Sequence, residues 1–76
     1  LEYTVLIHEA EEGGYWAEVP ALDGCYGQGE SVAETLEDIR LAIESRIEWL
    51  IEDGSQVPND GTVRVARVTV SAPSAA

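Results

Sequence analysis

The sequence predicts an α+β domain in which one long helix packs on one face of a mainly antiparallel sheet of three or four strands, in the order β-β-β-α-β. Three observations carry that prediction. The first residues alternate in the two-residue period of a pleated sheet. From Ser31 to Gly54 the apolar residues recur at helical spacing. Thr62 to Val70 is a run rich in β-branched residues.

The elements follow in order. Leu1 to Glu9 reads as a strand, with Tyr3, Val5 and Ile7 alternating with Thr4, Leu6 and His8. Ala10 to Gly14 is a turn, and Tyr15 to Val19 returns as the second strand of a hairpin. Pro20 has no amide proton for a ladder and ends it. Asp23-Gly24 turns the chain again into a short third strand or extended loop, Cys25 to Gln28. Ser31 and Glu34 form an S-x-x-E capping box, so the helix starts at Val32, runs to Asp53 and stops at Gly54. Val32, Leu36, Ile39, Ile43, Ile47 and Leu50 share the face expected on the sheet. Pro58 to Gly61 is a turn before the last strand. There Val63 and Val65 have one parity and Val68 and Val70 the other, which implies either a bulge near Ala66 or burial on both faces. One domain is expected over residues 1–70, followed by a disordered small-residue tail over 71–76.

A chain of 76 residues buries only about 60% of the surface its unfolded form exposes, so its own core is thin. A single cysteine, Cys25, allows no internal disulfide, and no metal-ligand cluster stands out. The remaining route to stability is oligomerisation, as a dimer or tetramer. Fifteen acidic residues against four arginines give a net charge of −11. Such a surface repels phosphate backbones and anionic membranes and favours a basic partner; keeping the chain in solution is the plainer use of the same charge. The pattern carries no secretory signal and no apolar run near eighteen residues, and one unpaired thiol suits a reducing compartment; the expected location is the cytoplasm. Residue 1 is Leu, which fits a piece of a slightly longer chain.

The residues offer little to catalysis. A nucleophile needs a base within reach, and the one histidine, His8, has no Ser or Cys near it in sequence. A His8–Cys25 pair across the sheet is conceivable, but a strand histidine with its tip in water is the plainer reading, and a reactive thiol needs an electropositive setting. The carboxylates are not grouped for metal ions, and no calcium-loop pattern occurs. Gly24, Gly27 and Gly29 precede a helix but are spaced G-x-x-G-x-G, with no Lys following and Glu30 where a phosphate would lie. No catalytic residue, cofactor site or metal site is assigned. Tyr15, Trp16 and Tyr26 lie on strands two and three; with no basic surroundings for RNA stacking, they are expected in the core.

The helix carries the better signal. Glu37, Glu44, Glu48 and Glu52 fall on the side opposite the apolar face, with Arg40 relieving part of the repulsion. Leu41 lies inside this stripe and Trp49 well away from the apolar face, so both should be exposed. An exposed Trp is a candidate interface anchor. Leu41, Glu44, Glu48, Trp49 and Glu52 are therefore the expected partner or self-association surface.

The stretch Tyr3 to Pro58 resembles the HicB-like antitoxin family. The matching pieces are Y-T-V-L-I, E-E-G-G-Y-W-A-E-V-P, L-D-G-C-Y-G-Q-G-E-S, V-A-E-T-L-E-D-I-R-L-A-I and I-E-D-G-S-Q-V-P. The specific part is similar to a P-x-L-x-G-C-x-x-x-G-x-[ST]-x-x-E signature, carried by Pro20, Leu22, Gly24, Cys25, Gly29, Ser31 and Glu34. Ala21 and Thr35 depart mildly from it. The resemblance implies a partial RNase H-like β-β-β-α-β fold without catalysis. It also implies a small basic HicA-type toxin as partner, an mRNA-cleaving ribonuclease whose active histidine and RNA surface the antitoxin shields. Neither direct nucleic-acid contact nor a membrane role is expected. Many members carry a C-terminal DNA-binding domain, and this sequence stops soon after the fourth strand. A single-domain antitoxin, an orphan oligomeric domain with another protein partner, and a fragment all stay open.

Overall fold

The computed structural model describes residues 1–73 and contains three short strands and one helix: β1 Leu6–Glu9, β2 Tyr15–Glu18, β3 Tyr26–Gly29 and α1 Val32–Asp53. The sheet order is β1-β2-β3 with both pairs antiparallel, in a register that lines up Ile7, Ala17 and Gly27 across it. The hairpin closes through Ala10–Gly14 with paired backbone bonds, and the second turn through Val19–Cys25.

α1 begins and ends where its capping residues place it. The Ser31 hydroxyl accepts the Glu34 amide, while the Glu34 carboxylate reaches back to the amide of Glu30 rather than that of Ser31. At the other end Gly54 adopts φ 76°, a left-handed conformation that costs a residue with a side chain about 1 kcal/mol or more. The Gly54 and Ser55 amides then satisfy the Ile51 and Leu50 carbonyls.

The core lies between α1 and the β2–β3 half of the sheet. Ala17, Val19, Leu22, Cys25 and Ile39 are buried, with Tyr3, Val5, Ala42, Ile43 and Leu50 packed around them. Thr35 is the buried polar residue, and its hydroxyl donates to the Ser31 carbonyl at 2.8 Å, so its burial leaves no polar atom unpaired. The helix can approach this closely because β3 offers glycines. A Cβ on Gly27 would sit 2.9 Å from the Ile39 backbone, and one on Gly29 2.7 Å from the Thr35 amide nitrogen.

Four expectations are corrected. The first strand is shorter than Leu1–Glu9, because β2 ends before Pro20 and the ladder runs out at Leu6 opposite Glu18. Residues 1–5 are held instead by side chains: the Tyr3 hydroxyl donates to the Pro58 carbonyl (2.7 Å), and the Thr4 amide and hydroxyl both donate to the Asp60 carboxylate (2.9 and 2.8 Å). The fourth strand, 62–70, does not join the sheet. After a 3-10 turn at Asp60–Thr62, residues 63–73 have no regular structure, and Val65, Val68 and Val70 are exposed. The sheet therefore has three strands, and neither a bulge nor two-faced burial arises. The helix face is also only partly used: Ile39 is buried, but Val32 and Leu36 are exposed, since α1 leans over β3 and β2 rather than β1. Finally, Trp16 and Tyr26 are not core residues. They have the parity opposite to Ala17 and Gly27 and stand on the sheet face that no helix covers, while Tyr15 is half-buried. Of the expected tail 71–76, residues 71–73 are exposed and 74–76 lie outside the described residues.

Candidate protein-binding surface

Two surfaces carry the chemistry of this molecule, and they meet at the β3 edge. The first is the outer face of α1. At about 100° per residue, Glu37, Leu41, Glu44, Glu48 and Glu52 point away from the sheet, and all five are exposed. Arg40 bridges Glu37 and Glu44, which holds the Glu37 carboxyl below its usual range and the guanidinium above its own. Glu48 and Glu52 make no ion pair among the described residues. Their charge is thus available to a partner, whereas that of Glu44 is already partly matched.

The second surface is aromatic. Trp49, 58% exposed, lies on the helix flank beside β3 and lines a shallow depression with Tyr26, Ala42, Ser45 and Arg46. Tyr26, 59% exposed, leads onto the open sheet face, where its ring lies 6.2 Å from Trp16. The Trp16 ring in turn stacks on His8 at 4.1 Å. His8 does not have its tip free in water: its Nε2 is 2.6 Å from a Glu18 carboxylate oxygen. The order Trp49–Tyr26–Trp16–His8 makes a half-exposed aromatic band rimmed by carboxylates. The helical period places Trp49 in solvent, as the structure has it, but the band was missed because strand parity relative to the helix decides which aromatics face water.

The arrangement gives no footing to the catalytic and phosphate readings. Cys25 is buried on the helix side of the sheet and His8 stands on the other side, so they do not form a pair. Burial raises the Cys25 thiol above its ordinary value, partly offset by Arg46, which keeps it protonated and poorly nucleophilic. The hollow near the start of α1 is walled by Glu12, Glu30 and Glu34, and the capping side chains already accept from the Glu34 and Glu30 amides there. Among the described residues no group of three or more His, Cys, Asp or Glu side chains is placed to hold a metal ion, and no helix among them is long and apolar enough to cross a membrane.

The signature residues have structural positions around this surface. Pro20, Leu22, Gly24 and Cys25 build the turn under Trp49, where the Arg46 guanidinium donates to the Asp23 carbonyl at 2.8 Å. Gly29, Ser31 and Glu34 build the close passage from β3 into α1.

A family model described as a HicB-like antitoxin of bacterial toxin-antitoxin systems matches residues 3–73. The chain belongs to the HicB-like antitoxin family. Relatives within it include a UPF0150 protein of Thermoplasma acidophilum, 38% identical over 65 residues that span 86% of this chain and 94% of that one. A UPF0150 protein of Synechocystis is 41% identical over 61 residues, 80% of this chain and 77% of that one. The fold recurs in the crystal structure of TTHA0281 from Thermus thermophilus, with a TM-score of 0.69 at 27% identity, covering 86% of this chain and 82% of that one. The HicB-like match extends through residue 73 and so includes the arm that lies outside the sheet.

Proposed function

We propose that this HicB-like domain is an antitoxin that binds a small basic HicA-type ribonuclease and neutralises it by covering its RNA-binding surface. The observation that carries the reading is the exposed Trp49 beside the carboxylates of Glu48 and Glu52, which make no ion pair among the described residues, on a chain of net charge −11 that belongs to an antitoxin family. An acidic stripe steers a cationic protein into contact, and an aromatic anchor supplies the buried area that charge alone does not. The domain acts by occupancy: it contributes no reacting group, and its carboxylates stand where the toxin would otherwise hold phosphates.

The test is a rescue and binding experiment with a cognate HicA-type toxin. Co-expression of the full chain should restore growth, and Trp49→Ala should weaken complex formation about 30-fold or more, as for an interface anchor worth about 2 kcal/mol. Normal inhibition by the Trp49→Ala/Glu48→Gln/Glu52→Gln variant would refute this placement of the surface. Failure of the wild-type chain to bind or rescue would refute the antitoxin reading and leave a domain with a different protein partner.

A further inference from the structure

The arm over residues 63–70 is a strand without a sheet. Its sequence, V-R-V-A-R-V-T-V, has the β-branched composition of a strand, yet Val65, Val68 and Val70 are 68%, 83% and 77% exposed. It stands away from the body. The longest dimension is 56 Å and the radius of gyration 15.7 Å, against about 11 Å for a compact chain of this length. Its root is fixed, because the double bond from Thr4 to Asp60 and the Tyr3–Pro58 bond hold the preceding turn beside the start of β1.

The body carries a matching vacancy on its sheet. Of the two edge strands, β3 is covered: its Gln28 amide donates to Asp38 of α1 at 2.8 Å. Among the described residues β1 pairs with β2 alone, and α1 packs mainly on β3 and β2. Ile7 shares the face of its partner Ala17, which is fully buried, but Ile7 itself is 37% exposed. On the helix flank that leans toward β1, Leu36 and Ile51 are 44% and 64% exposed, and Ile47 and Ile51 border the hollow beside Tyr3. This apolar trough and open edge run from Tyr3 to Glu9. The strand itself spans four residues, Leu6–Glu9, or about 13 Å, and the eight residues of the arm span about 26 Å, so the arm is long enough to pair with all of β1.

Charge names the occupant. Residues 61–76 hold two of the four arginines, Arg64 and Arg67, and no acidic residue; residues 1–60 hold all fifteen acidic residues and two arginines, a balance of −13. A cationic arm is repelled by a basic toxin but attracted by another acidic body. We propose that the arm of one copy pairs with the β1 edge of a second copy, reciprocally, so that each sheet gains its fourth strand from its partner and each trough is closed by the partner's Val63 and Val65 or Val68 and Val70. Such exchange gives an isologous dimer and supplies the core area that a 76-residue chain lacks. It uses a different part of α1 from the aromatic anchor, since Trp49 borders Tyr26 beside β3 whereas Ile47 and Ile51 border the hollow beside Tyr3.

The experiment combines sedimentation equilibrium with hydrogen exchange on the full chain. The wild type should sediment at twice the mass of one chain, and the amides of residues 63–70 should be protected at concentrations above the dimer dissociation constant and exchange freely below it. Val65→Asp/Val68→Asp alters only exposed side chains in one chain, so it should keep its helical circular dichroism yet dimerise at least about a hundredfold more weakly. A wild-type monomer at high micromolar concentration, arm amides protected in the monomer, or an Asp variant that dimerises like the wild type would each overturn the exchange. Toxin binding measured on the same Asp variant separates the two proposals, because a monomer that still captures toxin leaves the antitoxin reading intact.

Discussion

The close seating of α1 on β3 makes Gly27 the position where the smallest change has the largest calculable effect. A methyl group added there meets the Ile39 Cα and nitrogen at 2.9 Å. Carbon atoms rest at about 3.5–4.0 Å, so the helix must retreat by at least about 0.6 Å or the strand must bend away. The obstructing atoms are backbone, in the middle of a 22-residue helix, and cannot rotate aside. Overpacking of this kind costs about 1–3 kcal/mol, and the rigid obstacle places Gly27→Ala in the upper half of that range. A chain of this length has roughly 4–11 kcal/mol of stability, so the variant should still fold. At about 4–8 °C per kcal/mol the midpoint of thermal unfolding should fall by about 8–24 °C. Thermal and urea unfolding followed by far-ultraviolet circular dichroism read this directly. Gln28→Ala is the control: the side chain is exposed on the same strand, and its removal should change stability by no more than about 0.5 kcal/mol. A Gly27→Ala midpoint within about 2 °C of wild type would refute the tight helix–strand approach, and with it the placement of Trp49 beside Tyr26.

Other outcomes follow from single contacts. Asp60→Ala removes both bonds to Thr4 and should cost about 2 kcal/mol in urea unfolding, with faster exchange at the Thr4 amide; a loss under about 0.5 kcal/mol would mean that the N-terminal segment is held by Tyr3 alone. Gly54→Ala should cost about 1–2 kcal/mol from its left-handed φ, while Gly54→Asn should recover part of that loss; equal stability of all three would refute the cap. Cys25 keeps its proton to higher pH in the folded chain than in the unfolded one, so its contribution is intact below about pH 8.5 and is lost as pH rises through the raised folded value. Unfolding free energy should decline over that alkaline window in the wild type and decline less in Cys25→Ala, and the native thiol should resist a disulfide reagent at neutral pH until denaturant is added.

Much of this structure can be read from local chemistry. Ser31, Glu34 and Gly54 mark the helix to the residue, because caps are made by atoms a few positions apart in the chain. Pro20 and the glycine turns mark the hairpin and its end for the same reason. The acidic stripe and the exposure of Leu41 and Trp49 follow from the helical period once the sheet-facing side is known. Strand parity alone did not reveal that Trp16 and Tyr26 face water or that His8 engages Glu18, since parity says which residues share a face and not which face the helix covers.

The sequence by itself determined the order of the first three strands and the helix, the helix limits and the net charge, because each depends on residue identity or on contacts within one turn. Tertiary structure alone decided that α1 covers β2 and β3 but not β1, that Ile7 and Leu36 stay uncovered, and that the aromatic band meets the acidic helix face at Trp49. It alone decided, too, that the β-branched run after Asp60 leaves the sheet it was expected to complete. The physical reason is that a helix satisfies its backbone within itself, whereas a strand is stable only beside another strand, and which edge is free is a property of the assembled sheet.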